Sequence, residues 1–190
     1  MPFNQWSPEM REALTALAPP APHPRLSGRG RPEDVNILGT LAHHPALARA
    51  FFTLQGHLLR ATTLTERQRE LVIMRVATLR HSVYEWAQHI FVARKAGLTD
   101  LEIAWIAWGP DAPAWSESDA SLLRAVDDLD RDGVITDDTW VVLSTHLDVR
   151  QMLDLIFTAG SYRMLAWMVA SLGVALDDDL RGALKRASTV

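Results

Sequence analysis

The sequence contains no cysteine among its 190 residues. This absence excludes disulfide bonds, metal sites built on thiolates, and catalysis that uses a thiol as a nucleophile or a redox group. Any chemistry performed by side chains must therefore use carboxyl, imidazole, hydroxyl or guanidinium groups.

The sequence also lacks an excess of positive charge and a long apolar run. The formal net charge is −4 and the chain has no basic stripe, so neither nucleic acid nor a membrane is an expected partner. The N-terminal "MPFNQWSPEM" has no signal-peptide character, and the longest apolar run, "LAWMVASLGVAL", is too short to cross a bilayer. We expect a soluble, cytoplasmic protein.

Proline and glycine are concentrated near the N-terminus, in "APPAPHPRLSGRGRP". Such a segment cannot hold helix or sheet register, so residues 1–32 are predicted to form an extended arm with a short helix that opens at Ser7. The chain is 48% hydrophobic and 22% charged, which is typical of a compact fold. Residues 33–190 are predicted to form a single domain.

The fold class predicted for residues 33–190 is all-α. Apolar residues recur at helical spacing, and no stretch alternates as a strand would. Capping boxes, in which two residues three positions apart accept hydrogen bonds from each other's amides, are predicted at Thr65/Gln68, Ser82/Glu85, Thr99/Glu102 and Asp148/Gln151. Helices are predicted near residues 45–59, 66–80, 83–96, 100–108, 117–131, 137–146 and 149–173, with a short last helix after Asp177.

The acidic stretch "DLDRDGVITDDT" has the spacing of a calcium-binding EF-hand loop at Asp128, Asp130, Asp132 and Gly133. Its last position is Thr139, where such loops carry a bidentate glutamate, so the strongest ligand is missing. An acidic turn whose aspartates cap the neighbouring helices is the favoured interpretation.

The stretch "RHSVYEWAQH", residues 80–89, combines a helix start with acid–base side chains. If Ser82 begins the helix, then Ser82, Glu85 and His89 lie within about 60° of one another on one face. The preceding helix must turn back through a very short link, so the two helices form a hairpin and Glu70 can face the same region. Taken alone, each of these residues favours a purely structural role: Ser82 and Glu85 as a cap, and His89 as an ordinary half-buried histidine.

Other interpretations of this stretch are weaker. His81, Glu85 and His89 are spaced by fours, but two such steps rotate the outer histidines about 80° apart, which is poor for one tetrahedral metal ion. We therefore predict no metal site. On side-chain character alone, Tyr84 is expected in the core or at an interface, and Arg80 in solvent.

The segment "LTERQRELVIMRVATLRHSVYEWAQHIFVARKAGLTDLEIAWI" resembles the carboxymuconolactone decarboxylase family, which includes the AhpD-like alkylhydroperoxidases. The resemblance rests on a glutamate, a twelve-residue step to a CxxC position at a helix start, a histidine four residues beyond it, and the following "ARKAGLTDLEI". Here the glutamate is Glu70, the cysteine positions are Ser82 and Glu85, and the histidine is His89. Because both sulfurs of the peroxidase branch are absent, thiol peroxidase activity is not expected.

The resemblance implies an all-helical oligomer built around this hairpin, a homotrimer or homohexamer, although a dimer is also compatible. It further implies decarboxylation of a small lactone acid without a cofactor, and the decarboxylase branch carries an ExxxH pattern that Glu85 and His89 reproduce. His89 is then the expected proton donor or acceptor. Glu85 or Glu70 would orient its ring or act as a second base.

The resemblance also suggests how a small anionic oxo or lactone substrate is bound. Ser82 and the amides at the helix start would hydrogen-bond the substrate, Arg80 would add positive charge, and Tyr84 would shape the pocket. The alternative function is a non-catalytic helical oligomer that binds a small ligand or a partner protein. In that case Glu85 would be tied into the cap and His89 closed off from any cavity.

Overall fold

The computed structural model describes residues 36–113, 115–177 and Leu180. These residues form eight α-helices and no strand, and none of the described helices has both the length and the apolar character needed to cross a membrane. The helices are α1 (Asn36–Leu41), α2 (Pro45–Gly56), α3 (Glu66–Leu79), α4 (Val83–Lys95), α5 (Asp100–Trp108), α6 (Glu117–Arg131), α7 (Asp137–Leu143) and α8 (Val149–Ser171). The predicted arm over residues 1–32 lies outside the described residues, as does most of the predicted last helix.

The all-α prediction is confirmed, and each helix predicted between residues 45 and 173 is present. α7 ends at Leu143, three residues earlier than predicted. There the hydroxyls of Ser144 and Thr145 donate to the carbonyls of Val141 and Val142, which competes with continued helical hydrogen bonding. The short α1 was not predicted.

α3 lies at the centre of the fold, where it packs against α4, α6 and α8. Nine consecutive residues of α3, from Arg69 to Ala77, are buried, so this helix is enclosed on all sides. Four of its apolar side chains have no exposed surface: Leu71, Val72, Ile73 and Met74. The buried stretch also contains Arg69, Glu70 and Arg75, whose charges require partners inside the protein.

Arg75 finds its partners on two neighbouring helices. Its Nε and Nη2 donate to the Asp127 carboxylate at 2.6 and 2.9 Å, and its Nη1 donates to the Ile106 carbonyl at 2.7 Å. Gly109 lies against this guanidinium with a φ of +111°, and a Cβ there would stand 2.9 Å from Nη2. Both the backbone conformation and the close approach therefore require glycine at this position.

The end of α2 widens into a π-helical turn over His57–Ala61. Asp154 of α8 holds this turn: its Oδ1 lies 2.7 Å from His57 Nε2, and its Oδ2 accepts from the Thr63 amide at 2.6 Å and from the hydroxyls of Thr62 and Thr63. Burial raises the pKa of the Asp154 carboxyl, but these hydrogen bonds outweigh it and lower the pKa below its usual value. An ionised Asp154 therefore anchors the π-helical turn to α8.

Candidate functional site

α3 and α4 are joined by the three residues Arg80, His81 and Ser82. The Ser82 amide donates to the Ala77 carbonyl at 2.8 Å, and the His81 amide donates to the Thr78 carbonyl at 3.1 Å, the Schellman pattern that ends many helices. His81 has a φ of +51°, the left-handed conformation in which glycine is usual. Ser82 therefore closes α3 and is also the residue immediately before α4.

The predicted capping box at Ser82 and Glu85 does not form. In the three other predicted boxes, which are confirmed, the residues before the helices (Thr65, Thr99 and Asp148) have ψ values of 158°, 159° and 174°. Ser82 has a ψ of 87° and makes no side-chain cap. The short link explains the difference, because the backbone of Ser82 is already held by the end of α3. The side chains of Ser82 and Glu85 are consequently not engaged by the backbone of α4.

Glu70 of α3 and His89 of α4 form a buried pair. The Glu70 side chain has no exposed surface, and its Oε2 lies 2.8 Å from His89 Nδ1. Its other oxygen, Oε1, accepts from Arg69 Nε at 3.0 Å, while Arg69 Nη1 donates to the Leu59 carbonyl in the π-helical turn at 2.9 Å. The hairpin thus brings Glu70 and His89 together as expected, and each oxygen of the Glu70 carboxyl has a side-chain partner.

Glu85 lies on the same face of α4, one turn before His89. It is 1% exposed, and neither of its carboxyl oxygens is hydrogen-bonded to a described residue. Burial raises the pKa of Glu85 to about 7. The Ser82 hydroxyl is close enough to offset this rise slightly, but the two groups do not meet hydrogen-bond geometry. Near neutral pH, Glu85 is therefore present in both its protonated and its ionised form.

Tyr162 of α8 completes this cluster and was not predicted. Its ring meets the His89 imidazole edge-on, with the ring centroids 5.1 Å apart and the planes at 83°. Burial raises the pKa of the Tyr162 phenol far above its usual value, and the charges of Glu70 and Glu85 add to the effect, so the phenol stays protonated. The sequence offered little signal, because a tyrosine within an apolar helix face is equally typical of a core residue.

Arg80, a predicted substrate ligand, points elsewhere. If α3 continued for one more residue, the side chains of Arg80 and Glu70 would lie about 80° apart around the helix axis. Its guanidinium forms an ion pair with Asp130 of α6, and no described contact joins it to Glu70 or His89. This arrangement gives no support to substrate binding by Arg80.

Tyr84, the other predicted pocket residue, is also directed away from the pair. Its hydroxyl donates to Asp177 at 3.2 Å, and Gln88 donates to the same carboxylate oxygen at 2.6 Å. Helical geometry places Tyr84 about 100° from Glu85 and about 140° from His89. Of the three residues predicted to bind substrate, only Ser82 lies beside the cluster.

Within the described parts of the chain, no group of three or more histidine or acidic side chains is arranged to hold a metal ion. His81 is exposed in the link, whereas Glu85 and His89 face the interior. In the acidic loop, the Asp128 carboxylate accepts from the Thr136 amide and hydroxyl at 3.1 and 2.8 Å. Asp128 thus serves as a cap between two helices, which is the interpretation favoured from the sequence.

The cluster is suited to moving protons. If ionised Glu70 accepts a hydrogen bond from Nδ1–H, then the neutral form of His89 has its lone pair on Nε2, where it can act as a base. Glu85 can supply or take a proton near neutral pH because of its raised pKa. The whole sequence offers no thiol that could exchange electrons with a peroxide.

Residues 45–128 match the model of the carboxymuconolactone decarboxylase family. No curated protein sequence matches the chain.

Several solved structures share the fold. A protein of unknown function from Agrobacterium tumefaciens, grouped with the antioxidant defence protein AhpD, is 17% identical with a TM-score of 0.66 over 72% of this chain and 94% of its own. An AhpD-core, peroxidase-related protein from Ralstonia eutropha is 19% identical with a TM-score of 0.68, and the match covers 76% of this chain and 78% of that protein. The debrominase Bmp8, solved as a cysteine-to-alanine variant with 2,3,4-tribromopyrrole, is 12% identical with a TM-score of 0.68. The match covers 80% of this chain and 82% of that protein. At these identities the likeness establishes an AhpD-like fold and does not assign an activity.

Proposed function

Because residues 45–128 match the model of the carboxymuconolactone decarboxylase family and the chain contains no cysteine, we propose that the protein is a cofactor-independent acid–base catalyst, a lyase or an isomerase. The observation that supports this proposal is the contrast between two buried carboxyls. Glu70 is bound by Arg69 and His89, whereas Glu85 has no hydrogen-bond partner among the described residues. Neighbouring titratable groups held in such different environments are typical of paired acids and bases.

His89 is the proposed base. Its Nδ1 faces the Glu70 carboxylate at 2.8 Å, which leaves Nε2 to accept a proton from the substrate. The negative charge of Glu70 stabilises the imidazolium that forms, and the edge-on ring of Tyr162 restrains the plane of the imidazole.

Glu85 is the proposed acid. In a decarboxylation, the electron pair of the breaking C–C bond passes into the carbonyl system as carbon dioxide leaves, and an enolate or dienolate forms. Protonated Glu85 then donates its proton to carbon to complete the C–H bond, and the imidazolium or water returns a proton to Glu85. In an isomerisation, His89 removes a proton from one carbon and Glu85 supplies one to another.

The start of α4 suits the anionic part of a small oxo or lactone substrate. Because Ser82 does not cap this helix, the first-turn amides lack a side-chain acceptor, and the helix dipole places partial positive charge there. Val83, in the same turn, is 63% exposed, so the helix start reaches the surface. Arg80 does not contribute to this site because its guanidinium is paired with Asp130.

The test is turnover of small lactone carboxylates and oxo acids in deuterated water, followed by NMR as loss of the carboxylate or uptake of deuterium at carbon. His89→Gln and Glu85→Gln are each expected to lower kcat at least about 100-fold with little change in KM. The matched controls His43→Gln and Glu117→Gln alter exposed side chains and should leave turnover unchanged. Wild-type turnover that survives in both site variants would refute the proposal, and binding without turnover would favour the non-catalytic alternative.

We also propose that copies of the chain associate through α8 into a homotrimer or homohexamer. Five exposed large apolar side chains lie within about 80° of one another around this helix. They are Val149, Leu153, Phe157, Met164 and Trp167. A contiguous apolar face of this kind is typical of a subunit contact. Sedimentation of the wild type at the mass of a monomer at micromolar concentration would contradict the proposal, and Phe157→Lys should shift an oligomer towards smaller species.

A further inference from the structure

A cavity of about 130 Å³ lies between α3, α6 and α8. Its apolar walls are formed by Val76, Val126, Leu129, Ile156 and Ala159, together with the backbone of Gly160. Asp130 and Arg163 are the charged residues that line it. The cavity is open to solvent on one side, and its volume is close to that of an enclosed apolar cavity of about 150 Å³ known to hold benzene, so one ring or a short branched chain fits in it.

This cavity is separate from the Glu70 and His89 cluster. On α3, the lining residue Val76 lies about 120° around the helix from Glu70. On α8, Gly160 lies about 160° around the helix from Tyr162. The cavity shares no lining residue with the cluster, and it therefore requires its own explanation.

Gly160 is exposed and lies at the side of the cavity that opens to solvent. It lies in the interior of α8, where glycine is destabilising relative to alanine, and its φ is not in the left-handed region. A Cβ built at this position would meet no atom within 4 Å. Neither packing nor backbone conformation demands glycine here, and the missing side chain leaves the solvent side of the cavity uncovered.

The charges at the cavity are unequal in number. The guanidiniums of Arg80 and Arg163 both face the carboxylate of Asp130, the first in an ion pair and the second with its Nε 3.7 Å from Oδ1. Arg163 also donates from Nη1 to the Leu129 carbonyl at 3.1 Å and lies 5.3 Å above the ring of Trp167. Two cations against one anion leave one positive charge in excess, and Arg163 retains further N–H groups.

We propose that this cavity binds a small monocarboxylate whose body is a single ring or a short branched chain. The apolar walls bury the body, and the carboxylate accepts hydrogen bonds from Arg163 and neutralises the excess positive charge. An amine of the same shape would be repelled by that charge, and an alcohol would gain only a neutral hydrogen bond. This inference goes beyond the proposed acid–base function and does not depend on it.

The test is titration of isotope-labelled protein with benzoate, benzyl alcohol and benzylamine at pH 7, followed by NMR shifts of the α8 amides. Benzoate should bind saturably, with a Kd at least about tenfold below that of benzyl alcohol, and benzylamine should bind most weakly. Gly160→Leu should abolish benzoate binding because its side chain obstructs the open side of the cavity. Arg163→Gln should weaken benzoate about tenfold and leave benzyl alcohol unchanged.

Gly39→Leu and Arg94→Gln are the matched controls, because Gly39 is an exposed helical glycine and Arg94 pairs with Asp100 on the surface. Both should bind benzoate as the wild type does. Three results would overturn the proposal: no saturable benzoate shift in the wild type, benzoate binding retained in both cavity variants, or equal affinity for benzyl alcohol.

Discussion

The start of α3 and the start of α4 use similar side chains in opposite ways. At α3, the Thr65 hydroxyl accepts from the Gln68 amide at 3.2 Å, and the Gln68 side chain accepts from the Thr65 amide at 2.9 Å. At α4, Ser82 and Glu85 occupy the equivalent positions, and their side chains hydrogen-bond to no described residue. The polar groups that close one helix end are turned into the interior at the other.

The two buried glutamates show the same contrast between paired and unpaired groups. Glu70 and Glu85 are 0% and 1% exposed, so burial does not distinguish them. Glu70 contacts Arg69 and His89, whereas the carboxyl of Glu85 has no such partner, and burial therefore raises its pKa to about 7. Glu85 thus combines deep burial with the absence of a partner, and its raised pKa follows from this combination.

The largest effect is expected from removing the paired carboxyl. Glu70→Leu leaves Arg69 as a buried charge without its carboxylate, and should lower the free energy of unfolding by about 3–5 kcal/mol. Urea unfolding at pH 7 measures this loss. Glu66→Leu, at an exposed position in the first turn of the same helix, should change it by less than about 0.5 kcal/mol. Equal losses in the two variants would mean that the Glu70 pair contributes nothing to folding.

Removing the unpaired carboxyl of Glu85 is expected to raise the free energy of unfolding, and mainly at higher pH. Since the folded-state pKa of Glu85 is raised, its contribution to stability is fully present below pH 4.5 and is lost as the pH rises through about 7. That difference in pKa corresponds to about 3 kcal/mol. Glu85→Gln should therefore be more stable than the wild type at pH 8, with a much smaller gain at pH 5. Urea unfolding at pH 5 and pH 8 measures this gain, with Glu117→Gln as the control. An equal gain at both pH values would contradict the raised pKa of Glu85.

A smaller effect should separate the two helix starts. Thr65→Ala removes a working cap and should lower the free energy of unfolding by about 1 kcal/mol. Ser82→Ala removes a hydroxyl that makes no cap, so it should be neutral or slightly stabilising. Thermal unfolding of the two variants measures the difference directly, and an equal loss would show that Ser82 caps α4 in solution.

The smallest effect is expected at the link itself. His81 has a φ of +51°, so His81→Gly relieves the left-handed conformation but also increases the freedom of the unfolded chain. We expect a net gain of at most about 1 kcal/mol in the free energy of unfolding. His81→Val, which is branched at Cβ and poorly suited to this conformation, should be clearly destabilising in the same assay. A Val variant as stable as the Gly variant would contradict the assigned backbone.

Much of the hairpin could be predicted from local spacing. The positions of Thr65, Thr99 and Asp148 set their helix starts through contacts only three residues apart, which a sequence displays directly. Helical periodicity likewise placed Glu85 and His89 on one face of α4. The same rule failed at Ser82, because the rule assumes a free residue before the helix and this one is shared with the end of α3.

What the sequence could not show are the contacts made across the fold. Arg80 was expected in solvent or at the substrate, but its partner Asp130 lies on α6, far away in the chain. Tyr162 meets His89 only because α8 packs against α3, and no local pattern distinguishes it from a core tyrosine. Such partners depend on tertiary packing, and spacing within one helix does not encode them.

The π-helical turn at His57–Ala61 makes the cluster of Glu70 and His89 sensitive to the number of residues in that turn. The Leu59 carbonyl in this turn accepts from Arg69, which in turn contacts Glu70. A π-helical turn holds one more residue than the α-helical turn it replaces. Deleting a single residue there should favour regular helix and shift the Leu59 carbonyl away from Arg69. Insertions and deletions in this turn should therefore disturb the proposed proton-transfer site, although the site contains none of the residues of the turn.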